Sequence, residues 1–327
     1  MRNPNKLEDD YRELDLEPGA SLEEVKSSYR ELAMFWHPDQ FHGQPKRLPK
    51  AHQKMTRLNL AYERICKALA IPPRPQSAPT PTRPNSETAR PQEHFRPRET
   101  RTNSLGMQFV SVSGTSVFVS IWQTRVQDYA AYAKVANGVG VSWKNPGFSQ
   151  TAAHPVVNVS WHDAKQFCAW LTEKERREGK LPGSSEYRLP TDSEWSWAVG
   201  IGHRESHGTP RDKAKKLKDV YPWGTQGPPP KGAGNYDPSL GTDPFEYTSS
   251  VGSFAANAQG VFDLGGNVWE WCEDFLNGAS GVRVLRGGSW NFSGARHLLS
   301  SYRNGVMPSA RSGGIGFRCV LAGVPTR

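Results

Sequence analysis

The sequence predicts a multidomain protein, with an all-α hairpin at the N-terminus and a larger domain of short strands, few helices and long loops, joined by a proline-rich linker. Three observations carry this. Apolar residues recur at helical spacing in two stretches within residues 1–70; Pro, Ser, Thr and Arg displace them over 71–101; from 102 to 327, Trp and Gly stand among strand-like pieces. At 327 residues, 36% apolar and with 11 Trp, the chain has core material for two domains.

The first helix is bounded at both ends. Ser21 is its N-cap and Glu24 closes a capping box, so the helix starts at Leu22 and carries Val25, Tyr29, Leu32, Ala33 and Trp36 on one face. Pro38 lacks an amide hydrogen and drives His37 out of the α region, which ends the helix at a polar turn, His37-Pro38-Asp39. A second helix, Lys50 to Leu69, sets Met55, Leu58, Ala61, Tyr62 and Ile65 against the first, and a short Tyr11 to Leu16 segment precedes the pair. Together with Leu58-Asn59-Leu60-Ala61-Tyr62-Glu63, these features resemble the DnaJ family, so residues 1–70 are read as a J-domain. The resemblance implies a DnaK-type heat-shock ATPase as partner. His37, Pro38 and Asp39 would contact it and trigger hydrolysis, and Lys26 and Arg30 would steer the encounter.

Residues 71–101 bury no periodic apolar face and read as an extended linker that spaces the two ends. Charge is spread evenly. Basic and acidic residues number 12 and 11 in 1–70, 6 and 3 in 71–101, and 23 and 18 beyond, so the formal +9 forms no stripe and nucleic acid is not an expected partner. No signal-type apolar stretch opens the chain and no run approaches a membrane span, which predicts a cytoplasmic protein with no membrane partner. Cys66, Cys168, Cys272 and Cys319 lie far apart without a CxxC, against a zinc module or a disulfide scaffold.

In the larger domain, Phe109–Val112 and Ser116–Ile121 read as strands. A helix runs from Trp161 to Arg176 behind the N-cap Ser160, with Ala164, Phe167, Cys168 and Leu171 inward, and another follows Thr191 with Glu194 completing its box. Seven strings follow in order: TNSLGM from Thr102, PVVNVSW from Pro155, YRLPT from Tyr187, YPWG from Tyr221, GGNVWEW from Gly265, LRGGSW from Leu285 and IGFRC from Ile315. Residues 102–323 thereby resemble the formylglycine-generating enzyme, or sulfatase-modifying factor, family. The resemblance implies an irregular α+β fold related to C-type lectins.

Two constellations bear on chemistry. Asp263 and Glu270 bracket the Gly265-Gly266 turn, and Asn235 and Asp243 offer a second set of oxygens, both suited to a hard cation such as calcium. Carried over from the resembled family, structural calcium falls on Asn235, Asp243 and the carbonyls of Tyr236 and Phe245, and on Asp263, Glu270 and the carbonyls of Gly266 and Val268. The family oxidises a substrate cysteine with oxygen, using copper(I) held between two cysteine thiolates. Here those two positions are Phe292 and His297, so no copper site and no catalytic residue is expected. Cys168 and Cys319 match positions that pair in disulfide-bearing relatives and are expected to remain thiols in a reducing compartment.

Residues 290–314 mix small, polar and aromatic side chains between fixed flanks, as a binding surface does; Trp290, Asn291, Phe292, Ser293, His297, Tyr302, Asn304 and Val306 are its candidate ligand contacts. The stretch also resembles the variable segment of retroelement-diversified lectin-like proteins. The combined reading is a co-chaperone adaptor in which the first domain recruits the ATPase and the second recognises a protein client or ligand. Two alternatives are a formylglycine-type oxidoreductase or other metal-dependent enzyme, and a diversified recognition protein of a defence system.

Overall fold

The computed structural model describes residues 4–36, 48–69, 98–205, 207–214, 217–278 and 281–324. His37, Pro38 and Asp39, and the linker up to residue 97, lie outside the described residues.

Three helices make the first domain: α1 (Pro4–Glu13), α2 (Leu22–Trp36) and α3 (Leu48–Leu69). Ser21 and Glu24 form the expected reciprocal cap, the Ser21 N–H donating to Glu24 Oε2 at 2.7 Å and the Glu24 N–H to Ser21 Oγ at 3.3 Å. The segment read as Tyr11 to Leu16 is the end of helix α1 and the turn after it, and Leu7, Tyr11 and Leu14 pack in the same core as residues of α3. Tyr11, Leu14, Val25, Leu58, Ala61 and Ile65 are buried, and Arg64 grips Asp10 with two bonds of 2.6 and 2.8 Å. Lys26 is half-buried on α2, which also carries Arg30.

The second domain sets two small sheets around an aromatic core. One sheet joins β1 (Thr100–Thr102), β2 (Gln108–Ser111), β3 (Phe118–Ser120), β4 (Glu186–Arg188) and β9 (Val320–Ala322) in the order β1-β2-β3-β9-β4, all antiparallel. Strand β1 thus includes Thr100 and Arg101, the last two residues of the stretch read as linker. The other sheet runs β7 (Asn304–Val306), β6 (Arg283–Arg286), β5 (Trp269–Phe275), β8 (Ile315–Gly316), with β5 and β8 parallel. Helices α4 (Val126–Ala133), α5 (Trp161–Arg177) and α6 (Asp192–Val199) cover them. Helix α6 carries the expected capping box, Thr191 with Glu194, and at the expected N-cap of α5 Ser160 forms a further box with Asp163. Helix α4 has no counterpart in the sequence reading. It buries Asp128 and two tyrosines, Tyr129 and Tyr132, the first of which stacks on Phe167 at 5.8 Å.

Cys168 and Cys319 are buried thiols with Sγ atoms 3.7 Å apart. Among the described residues no helix is long and apolar enough to cross a membrane. The domains touch where Arg296 Nη1 donates to the Asp15 carbonyl at 2.5 Å.

Candidate functional site

The first set of predicted calcium ligands comes together in one loop. Asp243 accepts from the N–H groups of Tyr236 and Phe245, each at 3.0 Å, and Asn235 Nδ2 donates to the Tyr247 carbonyl at 2.8 Å. Asn235 is fully buried, yet its Oδ1 meets no donor. A buried amide oxygen left without a partner, in a loop that also presents a carboxylate, fits a hard cation.

The second set is arranged differently. Fully buried Glu270 takes Arg318 Nη2 at 2.7 Å and Gln123 Nε2 at 3.1 Å on Oε1, and Arg318 Nε at 2.8 Å and Trp195 Nε1 at 2.9 Å on Oε2. Gln123 Nε2 also lies 3.2 Å from the carbonyls of Asp263 and Val268, and Asp263 Oδ2 accepts from the Gly252 N–H at 2.7 Å. An arginine and an amide already meet the oxygens a dication would need, so this set as arranged does not fit one. Gly266 turns at φ 88, where a Cβ would run into the Asn235 carbonyl; this glycine lets the two loops close on each other. Among the described residues no group of three or more His, Cys, Asp or Glu is placed to hold a metal.

At Phe292 and His297, the positions that the resemblance sets against the copper-holding thiolates, rings fill the space. Phe292 is fully buried and meets Trp269 edge-on at 5.1 Å and His297 at 5.9 Å; His297, 3% exposed, meets Tyr302 at 4.8 Å. Burial, reinforced by Arg296, pushes His297 down to about 3, so it is a neutral ring in an aromatic cluster. Neither side chain presents a thiolate, and Phe292 has no metal-ligating atom.

That neutral histidine predicts an acid sensitivity with a definite sign. The unfolded chain takes up the His297 proton below about pH 6.5, so the stabilisation is whole above that pH and falls by about 1.4 kcal/mol per unit toward pH 3. Asp263 works the other way. Burial raises its carboxyl to about 6, so between roughly pH 4 and 6 stability gains as pH falls, masking part of the histidine effect. Comparing wild type with His297→Phe removes the Asp263 contribution. The stability advantage of wild type is expected to shrink by about 3 kcal/mol between pH 7 and 4.5 in urea denaturation; a constant difference would refute the buried neutral state.

The candidate ligand contacts divide. Phe292, His297 and Val306 are core residues and not surface contacts, a correction with a plain cause: alternation and periodicity do not mark inward side chains in a loop, and Val306 packs from strand β7. Trp290, Asn291, Ser293, Tyr302 and Asn304 are half-buried. Trp290 is joined by two rings from other loops. Phe148 and Tyr247 stack at 4.8 Å, Trp290 stands edge-on to them at 5.6 and 5.1 Å, and Tyr247 is 37% exposed. The Trp290 indole N–H is tied to the Gly313 carbonyl at 3.0 Å, which fixes the corner. Nothing in the sequence around Phe148 or Tyr247 marks either as part of a site; only the fold brings three loops together.

Beneath this surface lies a charge network. Asp192 receives Arg303 Nε at 2.9 Å and Nη2 at 3.0 Å and also Arg286 Nη1, while Arg303 reaches Glu205 at 2.6 Å. Both arginines are buried, and their long polar side chains brace the loop that follows β6.

Comparison with known proteins finds two family regions along the chain, the second of which begins inside the stretch read as linker. The family model of the sulfatase-modifying factor enzyme 1-like domain matches residues 83–322, and that of the DnaJ domain matches 9–68. The chain is 33% identical over 198 residues to the inactive C-alpha-formylglycine-generating enzyme 2 of Bos taurus, covering 54% of this chain and 55% of that one. To the formylglycine-generating enzyme of Streptomyces coelicolor it is 28% identical over 214 residues, with coverages of 55% and 58%. The chain thus spans little more than half the length of these curated relatives. Among solved structures it is similar to PvdO from Pseudomonas aeruginosa, at 23% identity and a TM-score of 0.49, over 70% of this chain and 100% of that one.

Proposed function

Because the chain belongs to the sulfatase-modifying factor enzyme 1-like family and carries a DnaJ domain ahead of that region, we propose that it is a non-catalytic co-chaperone adaptor of the cytoplasm. The DnaJ domain recruits and stimulates a DnaK-type ATPase through His37, Pro38 and Asp39, with Lys26 and Arg30 steering. The second domain holds a protein client against the half-buried residues of 290–314 and the Phe148–Tyr247–Trp290 corner. A tether between the two raises the effective concentration of the ATPase at the held client.

The observation that carries the non-catalytic half is the ring contact between Phe292 and His297, which occupies both thiolate positions with packed core. The experiment has two arms. Wild type should raise ATP turnover of a DnaK-type chaperone several-fold and His37→Gln should not; equal turnover rejects the co-chaperone half. A sulfatase-type cysteine peptide incubated with the protein, copper and oxygen should stay unconverted by mass spectrometry, and conversion restores the oxidase reading.

The loop holding Asn235 and Asp243 is the calcium site of this reading. Calcium at a hundredfold excess over its dissociation constant should stabilise the second domain by about 2.7 kcal/mol against chelator-treated protein. Asp243→Asn should abolish the gain. A calcium-independent melting temperature would remove the cation from the account.

A further inference from the structure

A cavity of about 200 Å³ lies beside the Asp263 turn, and none of residues 290–314 lines it. Its walls are short: Gly232, Ala233, Ala255 and Ala256 leave the space open, and Trp223 supplies a flat apolar side. The indole cannot fall into the gap. It stacks on Tyr221 at 4.8 Å, meets Tyr236 edge-on at 5.4 Å, and its N–H donates to the Gln226 carbonyl at 2.7 Å.

One charge faces this space. Asp263 is the single ionisable side chain in the lining, is 8% exposed, and among the described residues has no cation within ion-pair reach. Arg318 is spent elsewhere, on Glu270 and on the carbonyls of Ser120 and Phe262, each at 2.8 Å or less. Asn257 is likewise committed, to the Ala198 carbonyl and to the N–H groups of Gln259 and Val261. The Tyr236 hydroxyl, fully buried, has no hydrogen-bond partner. It lies behind the wall formed by Gly234 and Gly265 and does not itself line the cavity.

A buried carboxylate without an ion-pair partner is costly, and a cationic guest in the cavity relieves it. A hard inorganic cation needs six to eight oxygens, which walls of alanine, glycine and indole do not supply. We propose that this cavity is a second binding site, for a small organic ammonium ion whose charged head pairs with Asp263 and whose apolar body lies against Trp223 and the alanines. The indole face adds attraction for the cation. An apolar cavity of about 150 Å³ accommodates benzene, so this one has room for a ring and a one-carbon ammonium arm. The site is independent of the adaptor reading.

Benzylamine is the probe, titrated calorimetrically into the full chain, with benzyl alcohol as its uncharged isostere. Benzylamine should bind with a roughly millimolar dissociation constant, the range open to eight heavy atoms, and benzyl alcohol at least about tenfold more weakly. Asp263→Asn should lose about tenfold in benzylamine affinity. Asparagine suits this position because it tolerates the φ of 56 and can still accept from Gly252. Ala256→Leu, a change at an exposed wall residue, should block the cavity while leaving the melting temperature unchanged. No binding to wild type, equal affinity for the alcohol, full affinity in either variant, or displacement of benzylamine by calcium chloride would each overturn the proposal.

Discussion

Replacing Glu270 with alanine is expected to destabilise the second domain by about 3–5 kcal/mol, enough to leave much of it unfolded at 37 °C. Glu270 and Arg318 are both fully buried, and their two bonds of 2.7 and 2.8 Å form a side-by-side pair. Removing the carboxylate strands a guanidinium where water does not reach, and it also orphans the indole N–H of Trp195. The loss spreads because the pair joins the two sheets. Glu270 stands on β5, paired with Arg286 of β6 and Gly316 of β8, while Arg318 Nη1 reaches Ser120 at the end of β3 in the other sheet. Glu270→Gln keeps some of the hydrogen bonds and should lose less. Removing both charges with Glu270→Leu and Arg318→Met should recover much of the loss, since replacing a buried pair by apolar groups is often close to neutral. Urea midpoints for these variants decide it, and an unchanged midpoint for Glu270→Ala would show that the pair holds nothing.

Local grammar was legible and long-range partnership was not. Ser21 with Glu24, Ser160 with Asp163 and Thr191 with Glu194 write helix starts within four residues, and all three starts stand where those residues put them. Phe109 and Phe118 fall in strands within the short valine-rich pieces FVSV and SVFVSI, where β-forming residues cluster over a few positions. The arginines are another matter. Arg286 and Arg318 sit inside the strings LRGGSW and IGFRC, but composition places arginine on a surface, and only partners 94 and 48 residues away explain their burial. The same holds for the candidate site. The resemblance sets Phe292 and His297 against the family's thiolates while their loop setting reads as ligand contact, and a sequence gives no means of choosing between a ring turned in and a ring turned out. Lys26 and Arg30 could be placed on one helix by period alone, since their spacing of four residues needs no tertiary information.

Within one cluster of loops, stability and recognition should separate by residue. Phe292→Ala removes a ring with no exposed surface that packs on Trp269 and His297, and the loss of a buried phenyl with the cavity it leaves costs about 3–5 kcal/mol. Tyr247→Ala removes a ring that is 37% exposed and stacked on Phe148, for which about 0.5–1.5 kcal/mol is the expected cost. Client capture should rank the two in the opposite order. At 15 °C, where both remain folded, the proposed adaptor role predicts that Tyr247→Ala weakens retention of a client by the full chain far more than Phe292→Ala does, because in that proposal the exposed ring meets the partner and the buried one only holds the frame. If Phe292→Ala were as stable as wild type, the rings at the former thiolate positions would not be core, and the space between them would again be available to a metal.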